Sequence, residues 1–253
     1  MPLARVNGAE LFYEEFGTSA PLLLVHGMLE TGRTYAKATL ACSTEYRVLV
    51  PDLRGYGRSL PRPRTFPSDF YERDAADLAA LLRHLRLTDV RVIGSGDGAE
   101  VALLLASAAP ELIRAVVAVD VSGAFPDALL DILPEIGNWA DDPQTPNLAR
   151  RTTAIREYGL EGTQAIWAGW KQAVRRIIAA GGNVSLEQAR TIRCPVLIVN
   201  HDDDPLNTPA MSRRLRDAIP NAELDFLTDI DPRTFDAHFY WYTPHVQSWL
   251  AAH

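Results

Sequence analysis

Residues 90–108 constrain the fold most, because an apolar strand runs through a turn of small residues directly into a helix. The turn has glycine at positions 94, 96 and 98, with Ser95 and Asp97 between them. Similar apolar runs recur along the chain and alternate with segments whose apolar residues have helical spacing. This alternation predicts a mostly parallel central sheet with helices on both faces.

Further apolar runs and amphipathic segments extend this pattern along the chain. Strands are predicted at 11–15, 21–25, 46–50, 90–93, 115–119, 196–199 and 223–227. Helices are predicted at 70–85, 98–108 and 246–252. The runs at 21–25 and 46–50 are continuously apolar, as strands covered on both faces should be. The run at 11–15 is predicted to be an early antiparallel strand.

A long segment separates the strand that ends at Val119 from the strand that begins at Val196. It is too long for a simple crossover, and helices are predicted within it at 148–158 and 163–180. We therefore expect a helical cap over the carboxyl edge of the sheet at 124–190, after the sixth strand, with a core domain formed by 1–123 and 191–253. Three tryptophans of this segment line a pocket or pack the interior of the cap: Trp139, Trp167 and Trp170.

The composition argues against several classes of function. Among 253 residues, 32 acidic and 25 basic side chains give a net charge of −7, which provides no attraction to nucleic acid or an anionic membrane. No apolar stretch approaches the roughly 18 residues of a transmembrane helix, and the N-terminus lacks the pattern of a signal peptide. The only two cysteines, Cys42 and Cys194, suit buried thiols. We expect a cytoplasmic protein with a small-molecule substrate, and the sequence leaves its oligomeric state open.

Four short motifs follow one another in a fixed order. His26-Gly27-Met28 comes after the predicted strand 21–25, and residues 52–59 read Asp-Leu-Arg-Gly-Tyr-Gly-Arg-Ser. The glycine turn is the third motif, and the fourth combines 200–205 with Ala237-His238-Phe239. Each motif alone is weak, but with this order and spacing the chain resembles the α/β-hydrolase superfamily over nearly its whole length. The resemblance implies that family's fold.

The resemblance assigns an acid and a histidine to the last motif. It implies that His238 is the catalytic histidine and that Asp203 is the acid, with Asp202 and Asp204 as alternatives. A carboxylate that accepts the Nδ1–H of histidine fixes the ring and leaves Nε2 free to act as a base near neutral pH. His201 directly precedes these three aspartates and is a candidate residue of the substrate pocket.

The resemblance also places Gly96 where the family has its nucleophile, in the pattern G-x-nucleophile-x-G. It implies an oxyanion hole formed by the backbone N–H groups of Met28 and Asp97, which do not depend on a side chain at 96. Two neighbouring residues are alternative nucleophiles. Asp97 would lengthen the path from strand to turn by one residue. Ser95 lies one residue early and is predicted to point away from His238, so it is kept only as a pocket candidate.

Three hypotheses explain a glycine at this position. In the first, His238 and Asp203 perform acid–base chemistry on a small apolar carbonyl compound without a serine nucleophile, as in a lyase, cyclase, isomerase or water-mediated hydrolase. In the second, a non-catalytic member of the fold binds a small ligand under its cap. In the third, a serine hydrolase has had its nucleophile replaced. No metal cluster or dinucleotide fingerprint is found, so no metal or cofactor is expected.

Overall fold

The computed structural model of the chain describes residues 2–136, 141–143, 148–227 and 244–253. Its strands are β1 (Leu3–Val6), β2 (Ala9–Phe16), β3 (Ala20–Val25), β4 (Tyr46–Pro51), β5 (Val90–Ser95), β6 (Ile113–Val119), β7 (Val196–His201) and β8 (Ala222–Leu227). Its helices are α1 (Ala36–Cys42), α2 (Phe70–His84), α3 (Asp97–Ala108), α4 (Leu129–Ile132), α5 (Leu148–Ala179), α6 (Leu186–Ala189), α7 (Pro209–Ala218) and α8 (Pro244–Ala252). A short 3-10 helix covers Gly32–Tyr35.

The strands form one eight-stranded sheet in the order β1-β2-β4-β3-β5-β6-β7-β8. Strand β2 pairs antiparallel with β1 and β4, and the remaining neighbours pair parallel. The predicted mostly parallel sheet is therefore confirmed. Strand β1 was not predicted, although Asn7 and Gly8 lie between it and β2 with φ of 46° and 75°. Two successive positive φ angles are typical of a tight hairpin turn, for which Asn-Gly is the favoured sequence.

Alternate residues of the central strands face opposite layers of the core. In β3, Leu23 belongs to the larger cluster of buried apolar residues, together with side chains of α2, α3 and α5. Its neighbours Leu22 and Leu24 belong to a second cluster, with side chains of α1 and α8. Successive side chains of a strand point to opposite faces, so an apolar run can serve both layers. This packing confirms the prediction of helices on both faces.

The two helices predicted at 148–158 and 163–180 are present as the halves of α5, which is broken at Gly159 (φ 71°, ψ 168°). Both halves contact loops that follow strands at the carboxyl edge of the sheet. The Tyr158 hydroxyl donates to the Glu30 carbonyl at 2.9 Å, and the Arg176 guanidinium donates to the Phe66 carbonyl at 2.5 Å. These contacts place α5 over the edge where the sequence predicts a site. Assignment of 124–190 as a separate cap remains a prediction.

No helix in the part of the chain that the structure describes is both long enough and apolar enough to cross a membrane.

Candidate active site

The turn between β5 and α3 consists of one residue, Gly96, because β5 ends at Ser95 and α3 begins at Asp97. Gly96 has φ 55° and ψ −123°, a conformation that costs a residue with a side chain about 1–3 kcal/mol. Its N–H donates to the Val119 carbonyl at 2.9 Å, which ties the turn to the end of β6. The sharp reversal therefore holds residue 96 at the carboxyl edge of the sheet.

The two flanking glycines are required by close backbone contacts. A Cβ atom on Gly94 would lie 2.3 Å from the Gly98 carbonyl oxygen, and one on Gly98 would lie 2.3 Å from the Val25 carbonyl oxygen. Gly96 differs, because a Cβ there would meet no atom of the described residues within 4 Å. The backbone of the turn is thus tightly packed on both sides of Gly96, and the described residues leave room for a side chain at position 96.

His26 joins the loop after β3 to the loop after β4. Its Nδ1–H donates to the Gly27 carbonyl at 2.8 Å, and its Nε2 accepts a hydrogen bond from the Leu53 N–H at 2.9 Å. Burial lowers the pKa of His26, which agrees with a neutral ring that donates from one nitrogen and accepts at the other. The geometry gives His26 a structural role in shaping the backbone that leads to Met28.

Residues 52–59 build this same loop rather than the reacting centre. The Asp52 carboxylate accepts hydrogen bonds from the Gly32 N–H at 2.8 Å and from the Arg58 N–H at 2.9 Å. The Ser59 hydroxyl donates to the Asp52 carbonyl at 2.6 Å. Asp52 therefore fastens the 3-10 helix after Met28 to the loop after β4. The motif stabilises the loops around the candidate site.

The two predicted oxyanion donors are Met28, in the loop after β3, and Asp97, at the first position of α3. Neither backbone N–H has a hydrogen-bond partner among the described residues. The N–H groups of the first helical turn have no partner within the helix, and they carry a partial positive charge. The two elements can therefore offer free N–H groups to a negatively charged oxygen.

The Asp97 side chain lies in the contact between α2 and α5. Its Oδ1 accepts hydrogen bonds from the Tyr71 hydroxyl at 2.7 Å and from the Trp170 indole N–H at 3.2 Å. Burial raises the pKa of Asp97 to about 6. The Asp97 side chain thus contacts α2 and α5, and the predicted oxyanion role involves only its backbone N–H.

The remaining pocket candidates near the turn are buried. Ser95 is the last residue of β5, paired with Val119 in β6. Trp167 and Trp170 pack edge to face with ring centroids 5.4 Å apart and belong to the larger core cluster. Of the two predicted roles for these tryptophans, packing is present in both, and Trp170 also contacts Asp97. Trp139 lies outside the described residues.

The loop after β7 contains three successive aspartates, which differ in how exposed they are. Asp202 and Asp203 are exposed, whereas Asp204 is partly buried. The Asp204 carboxylate accepts hydrogen bonds from the Leu206 N–H at 2.7 Å and from the Asn207 side-chain amide at 2.8 Å. His238 lies outside the described residues, so the geometry of the predicted acid–histidine pair stays a prediction.

Asp120 is a candidate site residue that the sequence analysis missed. It follows β6 directly with φ 55°, and its N–H donates to the Val199 carbonyl at 3.0 Å. Its Oδ1 lies 4.0 Å from Nε2 of the buried His201. Burial raises the pKa of Asp120 to about 7, and the nearby Asp204 carboxylate contributes to the increase. Its position directly after a buried parallel strand was the signal that could have revealed it, because ligands bind at that edge.

Glu100 is a second missed carboxyl group, and it connects the loops around the site. It accepts hydrogen bonds from the Gly123 N–H at 2.8 Å and from the Ser185 hydroxyl at 2.5 Å. Burial raises the pKa of Glu100 to about 7. These bonds hold α3, the chain after β6 and the start of α6 together behind the glycine turn.

Replacing Asp97 with asparagine should raise the free energy of unfolding at pH 8 by about 1–2 kcal/mol and change it little at pH 4. The folded-state pKa of about 6 exceeds the ordinary value of 3.8, so the folded chain binds the proton more tightly. The stabilising effect of that proton is complete below pH 4 and is lost as the pH rises through 6. Asparagine keeps the Oδ1 acceptor for Tyr71 and Trp170 without the charge.

Urea denaturation of wild type and variant at several pH values measures this difference. Asp127→Asn makes the same change at an exposed carboxylate and is the matched control. A difference between Asp97→Asn and wild type that stays constant from pH 4 to pH 8 would contradict the assigned pKa.

Among the described residues, no group of three or more His, Cys, Asp or Glu side chains is arranged to hold a metal ion.

Comparison with known proteins connects this geometry to a family. A family model described as the alpha/beta hydrolase family matches residues 22–246. The serine hydrolase BPHL of Homo sapiens is 30% identical over 208 residues, covering 79% of this chain and 69% of that protein. The non-heme chloroperoxidase CPO-A1 of Kitasatospora aureofaciens is 28% identical over 253 residues, covering 88% of this chain and 89% of that protein. The enol-lactonase from Burkholderia xenovorans LB400 has the same fold, with a TM-score of 0.75, 24% identity, and coverage of 99% and 100% of the two chains.

Proposed function

This chain belongs to the alpha/beta hydrolase family, and we propose that it is an enzyme acting on a small apolar carbonyl compound without a covalent serine intermediate. His238, oriented by an aspartate of the loop after β7, moves the proton. The N–H groups of Met28 and Asp97 stabilise the negative charge that develops on the carbonyl oxygen. The reaction is an elimination, cyclisation, isomerisation or hydrolysis by an activated water.

The conformation of Gly96 is the observation that carries this proposal. The residue has φ 55° and ψ −123° in a single-residue turn, and its neighbours Gly94 and Gly98 are packed backbone against backbone. The turn therefore holds residue 96 and the following N–H at the carboxyl edge of the sheet. A glycine there removes the nucleophile and leaves the main-chain donors in place.

General acid–base catalysis is the chemistry that these remaining groups support. A histidine with one nitrogen fixed by a carboxylate takes a proton from the carbon beside a carbonyl, or from a water molecule attacking that carbonyl. Either step places negative charge on the carbonyl oxygen. Two N–H groups aimed at that oxygen stabilise the charge without any covalent bond to the protein.

The acid of the proposed pair comes from the three aspartates after β7. Asp203 is the residue assigned from the sequence resemblance, and its side chain is exposed. The partial burial of Asp204 and its two hydrogen bonds favour Asp204 as the alternative, because they fix the orientation of its carboxylate. Because Asp203 and Asp204 have the same side chain, the same substitution at each position compares their contributions to turnover.

His238→Ala should lower turnover about 10²-fold or more, because positioned acid–base groups contribute at least that factor. The measurement is steady-state kinetics of wild type and variant on a panel of small esters, enol lactones and β-keto compounds. Asp203→Asn and Asp204→Asn are compared with Asp202→Asn, and the variant of the true acid should approach the loss seen with His238→Ala.

His245→Ala is the control for replacing a histidine, since His245 is exposed and pairs with Asp225 at 2.6 Å. Unchanged turnover in His238→Ala would contradict the proposed mechanism. A wild-type protein that binds members of the panel and converts none would instead support the non-catalytic hypothesis.

A further inference from the structure

A second cleft lies beside the candidate site, between the 3-10 helix Gly32–Tyr35 and the first half of α5. It has a volume of about 450 Å³, and its lining begins at Leu29, the residue after Met28. On the α5 side, Arg150 lies one helical turn before the lining residue Thr153 and donates to the Met28 carbonyl at 3.4 Å. The cleft therefore continues the loop that carries one of the proposed oxyanion donors.

Two arginines line this cleft from opposite sides. Arg33 comes from the 3-10 helix and Arg156 from α5, and both are exposed. Neither guanidinium group has a hydrogen-bond or ion-pair partner among the described residues. The acidic residue of the lining is Glu157, so the cleft has a net positive charge in a protein whose net charge is −7.

The unpaired state of these two arginines contrasts with the arginines of the neighbouring loop. Arg54 pairs with Asp77 at 2.7 Å, Arg58 with Asp52 at 3.0 Å, and Arg64 with Asp74 at 2.5 Å. Those three ion pairs stabilise the loop after β4 and link it to α2. The guanidinium groups of Arg33 and Arg156, by contrast, make no such pair within the described residues and can donate to a ligand.

Three threonines complete the polar lining: Thr31, Thr34 and Thr153. The Thr34 hydroxyl accepts a hydrogen bond from the Thr31 N–H at 3.2 Å, and its own proton is available for donation. Guanidinium and hydroxyl donors that line one cleft match the oxygens of a carboxylate or a phosphate. This is the chemistry expected of an anion-binding subsite.

We infer that this cleft binds a carboxylate or phosphate group of a small-molecule ligand, held between Arg33 and Arg156. The inference rests on the proposed function only in naming that ligand as the substrate. The Met28 N–H would bind the carbonyl oxygen, and the cleft extends from the next residue, Leu29. The anionic group would therefore lie at the end of the substrate away from the reacting carbonyl. The anion would also join the loop after β3 to α5.

Calorimetric titration of the wild-type protein with inorganic phosphate and with succinate, at low ionic strength, tests the binding directly. We expect saturable binding of at least one anion, weakened about tenfold or more by Arg33→Gln or by Arg156→Gln and abolished in the double variant. Binding of phosphate alone identifies a phosphate subsite, and binding of succinate alone identifies a carboxylate subsite.

Two controls separate a site from general charge attraction. Arg193→Gln removes an exposed arginine that precedes β7, at the opposite edge of the sheet, and should leave binding unchanged. Sodium chloride at matched ionic strength should show no saturable heat. Absence of saturable binding for both anions, or equal binding by wild type and double variant, overturns the inference.

The binding assay needs no turnover, so its failure is distinguishable from failure of the proposed function. In a Gly96→Ser background, the ratio of kcat/KM for mono-p-nitrophenyl succinate to that for p-nitrophenyl acetate gives a second readout. We expect the Arg33→Gln/Arg156→Gln change to lower this ratio about tenfold. If the wild-type protein binds the anion but the ratio is unchanged, the bound anion is not part of the substrate. That result overturns that part of the inference.

Discussion

Gly96→Ser should raise the rate of p-nitrophenyl acetate hydrolysis at least about 10³-fold, because it adds a nucleophile to a site that has every other proposed part. Residue 96 already has the sharp turn conformation, and a Cβ there meets no atom of the described residues within 4 Å. The hydroxyl would be activated by His238, and the acyl oxyanion would be bound by the N–H groups of Met28 and Asp97.

The substitution also has a cost in stability. At φ 55° the loss of glycine should lower the free energy of unfolding by about 1–2 kcal/mol. Gly96→Ala has the same strain without a hydroxyl and is the matched control. It should lose the same stability and show no gain in hydrolysis, so that strain and chemistry are measured separately.

Covalent labelling identifies the residue responsible. In the Gly96→Ser variant, a fluorophosphonate probe should modify the hydroxyl introduced at position 96, and the modification should disappear when His238→Ala is added. A folded Gly96→Ser protein with neither hydrolysis nor labelling would contradict the proposed arrangement of histidine and oxyanion donors. Labelling of the wild-type chain at a serine within the site would contradict the absence of a nucleophile.

Gly98→Ala should cause a large loss of stability. A Cβ on Gly98 would lie 2.3 Å from the Val25 carbonyl oxygen and 2.6 Å from the His26 carbonyl oxygen. Both neighbours are backbone atoms at the end of β3, so the clash can be relieved only by moving α3 away from the sheet. We expect the free energy of unfolding to fall by about 3 kcal/mol or more.

Gly162→Ala is the control for this experiment, because it adds the same methyl group to a glycine inside α5. There the nearest atom is the Tyr158 Cβ at 3.3 Å, and alanine favours a helix, so we expect a change within about 1 kcal/mol. Chemical denaturation measures both variants. A Gly98→Ala protein as stable as wild type would mean that the turn is packed less closely than these distances require.

Much of the fold was predictable because its signals are local. Continuous apolar runs at 21–25 and 46–50 and a helical apolar stripe at 70–85 each follow from burial on one or two faces. The strand β1 was missed because Leu3–Val6 is short and its alternation is weak, although the Asn7-Gly8 pair that joins it to β2 was readable. The break of α5 at Gly159 agrees with the two predicted helices.

The candidate site rests on sequence motifs only where a motif follows a strand, and its catalytic roles stay predictions. Motif position identifies Gly96 and the Met28 loop, since parallel strands bring their carboxyl ends to one edge. The contact of Asp97 with Trp170 joins residues far apart in sequence, and no local pattern indicates it. The cleft between Arg33 and Arg156 was missed for the same reason, because each arginine alone resembles an ordinary surface residue.

The close packing at Gly94 and Gly98 has a consequence for how such a protein can change its chemistry. Close backbone contacts at Gly94 and Gly98 hold the turn, and a side chain at position 96 would take no part in those contacts. In the proposed mechanism, fold and reaction are therefore encoded at separate positions, and a change of residue 96 exchanges covalent for non-covalent catalysis without repacking the interior. A lineage could gain or lose a nucleophile in a single mutational step while its stability changes by only the strain of one residue.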